Sequence, residues 1–259
     1  MTEELTATIL SVQGILAAGF IIMLRVGAMM AVLPAFGERA VPMQVRLVII
    51  LAFTVIVTPI IAPENAVTLD APLKLLALAL PETIIGLAHG ITLRLFILAL
   101  STAGSIAAQS TSLSQILGGA AADPMPAIGH LFVISGLALA VLYGFHTRVV
   151  EWIVLSYEIF PIGRMPDAGI LTQWGTERVA ASFAMAFTLA APFVLASLLY
   201  NLTLGFINKA MPQLMVAFVG APVITLGGLF ILFASSPILL RVWVTALNGF
   251  VANPYGGGP

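Results

Sequence analysis

Long apolar runs, separated by short polar corners, make up most of this sequence. The first extends from about Ile9 to Leu33, enough for a helix to cross ~30 Å of hydrocarbon. Arg25 lies inside it, and Pro34-Ala35-Phe36-Gly37-Glu38-Arg39 followed by Val41-Pro42 predicts a turn. The second run, Val45 to Ile61, is opened by Arg46 and closed by Pro59 and Pro63, ahead of a short acidic loop from Glu64 to Asp70. The third begins near Pro72, is interrupted at Pro81-Glu82, and continues through Gly86 and Gly90 to about Ala108. Residues Gln109 to Ile128 differ from the rest, being rich in Ser, Thr, Gly, Ala and Pro and carrying Asp123-Pro124. A fourth run, Ile128 to Phe145, fades through Arg148 to Trp152 towards Pro161-Ile162-Gly163, and a polar connector spans Arg164 to Arg178. The fifth is Val179 to Ile207 with Pro192 inside it, the sixth is Met215 to Ala234, and a last piece starts at Pro237 and ends near Val251. The tail from Tyr255 to Pro259 reads as flexible. The pattern predicts an all-α, polytopic membrane protein with about six long hydrophobic helices, several of them broken.

The corner between the fifth and sixth runs is the most specific stretch. Pro212 has no amide proton and pushes Met211 out of helical geometry, so a break is expected there. Asn208 and Gln213 can bond the peptide groups that the break exposes, which matters because an unpaired backbone group in lipid costs several kcal/mol. Gly220 and Pro222 are expected to interrupt the next segment before three turns are complete, leaving either a tight turn or a packing surface for other helices. The loop Gln109 to Gly119 poses a similar choice. Irregular polar backbone beside membrane-depth helices is either an ordinary loop or is buried in protein or in a water-filled cavity.

Composition removes the soluble alternatives. Hydrophobic residues make up 60% of the chain and charged residues 8%, against roughly a quarter charged in soluble domains. Mean hydropathy is +1.11. The net charge of −1, without any basic run, gives nucleic acid no footing, and the absence of cysteine removes disulfides and thiolate chemistry. Loop charges orient the chain poorly: Arg39, Arg46 and Lys209 stand against Lys74, Arg148, Arg164, Arg178 and Arg241.

Arg25, Glu82, His89 and Arg94 are the polar residues expected at membrane depth, with Glu82, Gly86, His89 and Gly90 at three- and four-residue spacing. Such residues are costly and often mark proton or substrate paths. The competing reading is a set of structural charges paired with a neighbouring helix or a partner subunit. The sequence favours that second reading, since Arg94 is more than three turns from Glu82 and no further acidic residue sits near His89. His130, His146 and Glu151 lack metal-ligand spacing, Gly104-Ser105 lacks the second glycine of a nucleophile elbow, and Gly118-Gly119 lacks the lysine of a phosphate loop. No catalytic residue, metal site or cofactor is assigned. Small residues at Gly86, Gly90, Ala103 and Gly104 are expected to let helices of different subunits pack closely.

Taken in order, these pieces resemble the FliR family, called SctT in injectisomes, of type III secretion export gates. The resemblance is carried by Asn208-Lys209 with Pro212-Gln213 and Gly220-Ala221-Pro222, preceded by Ala190-Ala191-Pro192 and Leu198 to Gly205. Further matches are Arg25 with Pro34 to Gly37, Val41-Pro42 with Arg46, Glu82 with Gly86 and Gly90, Asp123-Pro124, Gly144-Phe145-His146, and Ser156 leading to Pro161-Ile162-Gly163. The chain departs from the family at Ala107 and Thr111, where glycines are usual, at Ala120 to Ala122, where aromatic residues are usual, and at Ala217, where phenylalanine is common. The resemblance implies a single-copy, pore-forming subunit in the bacterial inner membrane at the flagellar basal body, its broken helices arranged as helical hairpins. It would assemble with FliP-like and FliQ-like subunits into a conical pore, contact an FlhB-like switch protein, and pass unfolded export substrates. Residues of about 1–163 would be FliP-like, about 164–252 a FliQ-like hairpin, and 253–259 a flexible tail. A luminal gate loop near 109–122 would involve Gln109, Ser112, Leu113, Gln115, Ile116, Leu117, Gly118 and Gly119. Subunit packing would fall to Asn208, Pro212, Gln213, Gly220, Pro222, Gly86 and Gly90. The rival reading is a proton-coupled secondary transporter of a small solute, with Glu82, His89 and Arg94 in discontinuous helices.

Overall fold

A computed structural model of the chain describes residues 2–38, 41–62, 72–111, 127–211 and 216–256. Among them are the helices α1 (Thr2–Val32), α2 (Met43–Ile61), α3 (Pro72–Thr111), α4 (Ala127–Leu142), α5 (Phe145–Ile159), α6 (Ala168–Ala210) and α7 (Val216–Ala252), and no strand. Five are long and apolar enough to cross a membrane, or six crossings if α4 and α5 count as one broken span. The chain is an all-α polytopic membrane protein.

Most of the interruptions expected at proline do not occur. Pro81 lies within the 40 residues of α3, and Pro222 and Pro237 within the 37 of α7. Pro192, read inside its run, lies within the 43 of α6. Each proline removes a single intrahelical bond. In apolar surroundings no water competes for the freed carbonyl, and breaking the helix would expose several backbone groups in place of one. α6 starts at Ala168, capped by Asp167 Oδ1, which accepts from the Ile170 N–H at 3.0 Å, and it runs through most of the stretch read as a polar connector. True ends fall where the chain departs from helical backbone. α1 stops ahead of Pro34 in a turn with Ala35 at φ +67°, where the Gly37 N–H donates to Leu33 O at 2.7 Å. Gly144, at φ +77°, separates α4 from α5. α6 ends at Ala210, just before Met211-Pro212, as an X–Pro step requires.

The helices form two compact units. Unit one holds residues up to Leu95, Gly144–Val179 and Phe250 onward. Its core is a stripe on α1 (Ile21, Ile22, Val26, Met30) continued by Leu33 just past its end, with Ile85 and Leu93 of α3 and Val149, Trp152 and Ile153 of α5. Unit two holds Phe96–Tyr143 and Ala180–Gly249. Its core joins Leu100 and Ala103 of α3, Phe132 and Ala140 of α4, Leu189 and Phe193 of α6, and Trp243 and Leu247 of α7.

Candidate functional site

The buried stripe of α1 contains one charge. Arg25 occupies a core position of that stripe and is 1% exposed, and Glu82 on the facing stripe of α3 is 0% exposed. The two form a fork: Arg25 Nε donates to Glu82 Oε2 at 2.8 Å and Nη2 to Oε1 at 3.1 Å. Arg25 Nη1 donates to Ser156 Oγ of α5 at 3.0 Å, and Nη2 also reaches Phe160 O at 2.8 Å. Glu82 accepts in addition from Tyr157 Oη at 3.3 Å and from the Gly163 N–H at 3.0 Å. The guanidinium carbon lies 3.7 Å from the centroid of the Tyr157 ring. A bidentate charge pair is the strongest form of such a bond, and only this degree of satisfaction offsets taking both ions out of water.

The backbone around the pair is shaped to allow it. At Gly86 an added Cβ would run into the Arg25 carbonyl oxygen and stand 2.9 Å from Ala28 Cβ, while Gly90 is covered by Met29 and Val32. These glycines were expected to pack between subunits; instead α1 of the same chain covers them, because α1 and α3 must approach closely for the fork to close. Gly163 sits at φ +74°, a left-handed conformation that turns the chain back over Glu82, and a side chain there would also strike Leu78.

The other anticipated polar residues are placed as follows. His89 is buried, with Nδ1 2.6 Å from Ile85 O and Nε2 hydrogen-bonded to the Tyr255 hydroxyl. Tyr255 therefore packs into unit one, which corrects the expectation of a flexible tail at that position. Arg94 is part-exposed, 3.4 Å from Val32 O and 3.9 Å from Glu38 Oε1, and takes no part in the Arg25–Glu82 cluster. Gln109 ends up in the last turn of α3, whereas Ser112, Leu113, Gln115, Ile116, Leu117, Gly118 and Gly119 lie outside the described residues, as do Pro212 and Gln213. Asn208 is exposed near the end of α6. Gly220 is buried and its carbonyl accepts from Tyr200 Oη at 2.5 Å, while Pro222 is exposed and helical. Among the described residues no three His, Asp or Glu side chains gather as metal ligands.

Several residues here were not singled out as site residues: Ser156, Tyr157, Phe160 and Gly163 in the Arg25–Glu82 cluster, and Tyr255 beside His89. Ser156 and Gly163 did appear in the sequence as parts of one ordered motif, which was the available signal. Tyr255 carried none, because glycine-rich sequence around it reads as loop.

Residues 16–250 match the family described as bacterial export proteins, family 1. The chain is 33% identical to the flagellar biosynthetic protein FliR of Caulobacter vibrioides over 85% of its length and 88% of that protein. It is 28% identical to FliR of Escherichia coli over 84% of its length and 83% of the relative. FliR of Aquifex aeolicus is 26% identical, covering 87% of this chain and 86% of its own. The family match takes in residues of both helical units and every member of the Arg25–Glu82 cluster, and with the identity to the Caulobacter vibrioides protein over most of both chains it shows that the chain belongs to the FliR family of bacterial flagellar export proteins.

Proposed function

We propose that this chain is a structural, pore-forming subunit of a type III protein export gate in the bacterial inner membrane, at the base of the flagellum. In this reading it is present in single copy among FliP-like and FliQ-like subunits and touches an FlhB-like switch protein. Unfolded substrates pass through the pore, and the chain itself performs no chemistry. Residues of about 1–163 form the FliP-like part and about 164–252 the FliQ-like hairpin.

The observation that carries the proposal is the length over which α6 is apolar and uncovered. Past the polar turns that end at Arg178, its large exposed hydrophobic side chains run from Val179 to Ile207, roughly 42 Å of helix at about 1.5 Å per residue. The hydrocarbon layer is only ~30 Å thick. Fitting that length into it would require a tilt of roughly 45°, beyond the ~40° upper end seen for membrane helices. Lipid therefore cannot cover all of this surface, and other protein has to. A subunit embedded in a larger assembly meets that requirement, whereas a self-sufficient transporter does not. The buried charges point the same way: Arg25 and Glu82 are engaged with each other and with Ser156, Phe160 O and the Gly163 N–H, so that pair is not left to hold a solute or relay a proton.

The test is to purify the tagged chain from its native cells in mild detergent and to measure what accompanies it, and in what ratio. One copy with several FliP-like and FliQ-like subunits is the expected result. A partner-free monomer that takes up a small solute would sink the proposal. For the gate loop, Gly118→Leu and Gly119→Leu should increase ion leak through the assembled complex while leaving its subunit ratio intact.

A further inference from the structure

His89 stands in a box of aromatic rings. Its ring centroid lies 4.8 Å from that of Trp152, 5.7 Å from Tyr255, 6.1 Å from Trp174 and 6.3 Å from Phe160. Nδ1 faces the carbonyl of Ile85, one turn earlier on α3. A carbonyl can only accept, so Nδ1 carries the proton and Nε2 presents a lone pair. That lone pair is met by the Tyr255 hydroxyl. Burial pushes the Tyr255 phenol up from its ordinary value, so it keeps its proton and donates it to the bond. The Tyr255 ring also meets Phe160 edge-on at 6.0 Å and Trp152 at 6.5 Å, the geometry that aromatic pairs prefer.

The segment carrying Tyr255 is self-contained. Beyond α7, the Asn253 N–H donates to Phe250 O at 3.1 Å, and Asn253 Oδ1 accepts from the Gly256 N–H at 3.0 Å. With those backbone groups met locally, Asn253–Gly256 can lift away without stranding them. Beside Tyr255 lies a cavity of about 260 Å³, walled by Ile85, Ala88, Leu171 and Trp174 among others. The indole N–H of Trp174 is buried and has no hydrogen-bond partner among the described residues. The Tyr255 ring is thus gripped on one side by aromatic edges and borders open volume on the other.

We infer that the seat formed by His89, Trp152 and Phe160 is a receptor for a phenolic side chain, with Tyr255 as its reversibly docked occupant and the neighbouring cavity as room for the ring to leave, so that Asn253–Gly256 is a clasp between the end of α7 and α3. The selectivity follows from the walls. The flat aromatic faces take a ring, and the His89 lone pair takes a hydroxyl donor; a plain benzene ring would leave that acceptor buried and unpaired. An aliphatic side chain would forgo both terms.

The clasp is tested on the full-length chain, solubilised with whatever accompanies it from native membranes. Chymotrypsin cleavage after residue 255, which needs the docked ring to leave its seat, is followed by mass spectrometry, with p-cresol or toluene added. p-Cresol is expected to compete with Tyr255 and raise cleavage several-fold, with toluene having little effect. Tyr255→Phe should raise cleavage about fivefold without any additive, the loss expected for one neutral hydrogen bond. In Tyr255→Ala, p-cresol should raise the unfolding temperature more than toluene does. Equal effects of p-cresol and toluene would overturn the phenol selectivity, and no change in cleavage with p-cresol would overturn the reversible clasp. If Tyr255→Ala does not accumulate, the cleavage experiment on the unaltered chain decides alone.

Discussion

Unit one and unit two solve the same packing problem by opposite means. Unit one fixes its helices with a charge: the Arg25–Glu82 fork ties α1 to α3, and its remaining bonds reach α5 and the turn at Phe160–Gly163. Unit two uses shape. Gly104 of α3 meets Gly129 of α4 backbone to backbone, and Gly136 receives the side chains of Leu100 and Trp243. Among the described residues, its long-range polar bonds include Trp243 Nε1 to Phe96 O at 2.8 Å and Tyr200 Oη to Gly220 O at 2.5 Å, each from a neutral donor to a backbone carbonyl. In apolar surroundings hydrophobic burial favours no particular helix register, so register has to come from directional bonds or close steric fit. Here each unit relies mainly on one of the two.

The largest effect should come from breaking the fork. Glu82→Ala leaves a buried guanidinium uncompensated and is expected to cost about 3–5 kcal/mol, read as loss of folded protein from the membrane and a lower unfolding temperature in detergent. The paired change Arg25→Met with Glu82→Leu removes both charges and should recover a large part of that loss. Equal damage from the single and the paired change would mean that the fork is not what fixes these helices.

In unit two the corresponding lesion is steric. A Cβ on Gly104 would stand 2.6 Å from Gly129 N, so Gly104→Ala should cost about 1–3 kcal/mol through overpacking. Gly227, also in unit two, has nothing within 4 Å of such a Cβ. Gly227→Ala should be neutral or add up to about 1 kcal/mol of helix propensity. Thermal unfolding of the two variants side by side checks the contrast, and matched losses would remove it. A smaller and different effect is expected at Phe206, which is 73% exposed on α6. Phe206→Ser should leave the fold alone and weaken co-purification of partner subunits by roughly tenfold, a loss of about 1.4 kcal/mol.

The all-α class and most helix positions were legible because apolar length is a strong signal and few polar residues confuse it. What misled was proline. Pro81, Pro222 and Pro237 read as breaks by the rules of water-soluble helices, yet each sits inside a continuous helix. Those rules assume that water rescues the freed carbonyl, and in an apolar setting a broken helix is the costlier outcome. The charge cluster was half legible. Arg25 and Glu82 stood out as polar residues in apolar runs, but their partners are a serine, a tyrosine, a carbonyl and a glycine amide, 131, 75, 135 and 81 residues away respectively. Nothing in local spacing encodes such separations. Gly86 and Gly90 were expected to pack between subunits, but the surface they meet in the structure belongs to α1 of this chain.

The finest distinction between the units is chemical: unit one contains a group that alkali should loosen. The Tyr255 phenol is pushed up by burial, so the folded state holds its proton more tightly than the unfolded chain does. Its contribution is complete below the unfolded value of about 10 and is lost as pH rises above it, by at most about 1.4 kcal/mol per pH unit. Tyr255→Phe has no proton to lose at this position. Between pH ~9 and ~11.5 the unaltered chain should therefore lose stability faster than the variant, and the curves should converge as pH rises. Lysines, arginines and the remaining tyrosines titrate in both proteins and cancel in the difference. Parallel curves across that range would mean that Tyr255 gains nothing from its proton in the folded state. The hydrogen bond to His89 would then be incidental to how unit one closes.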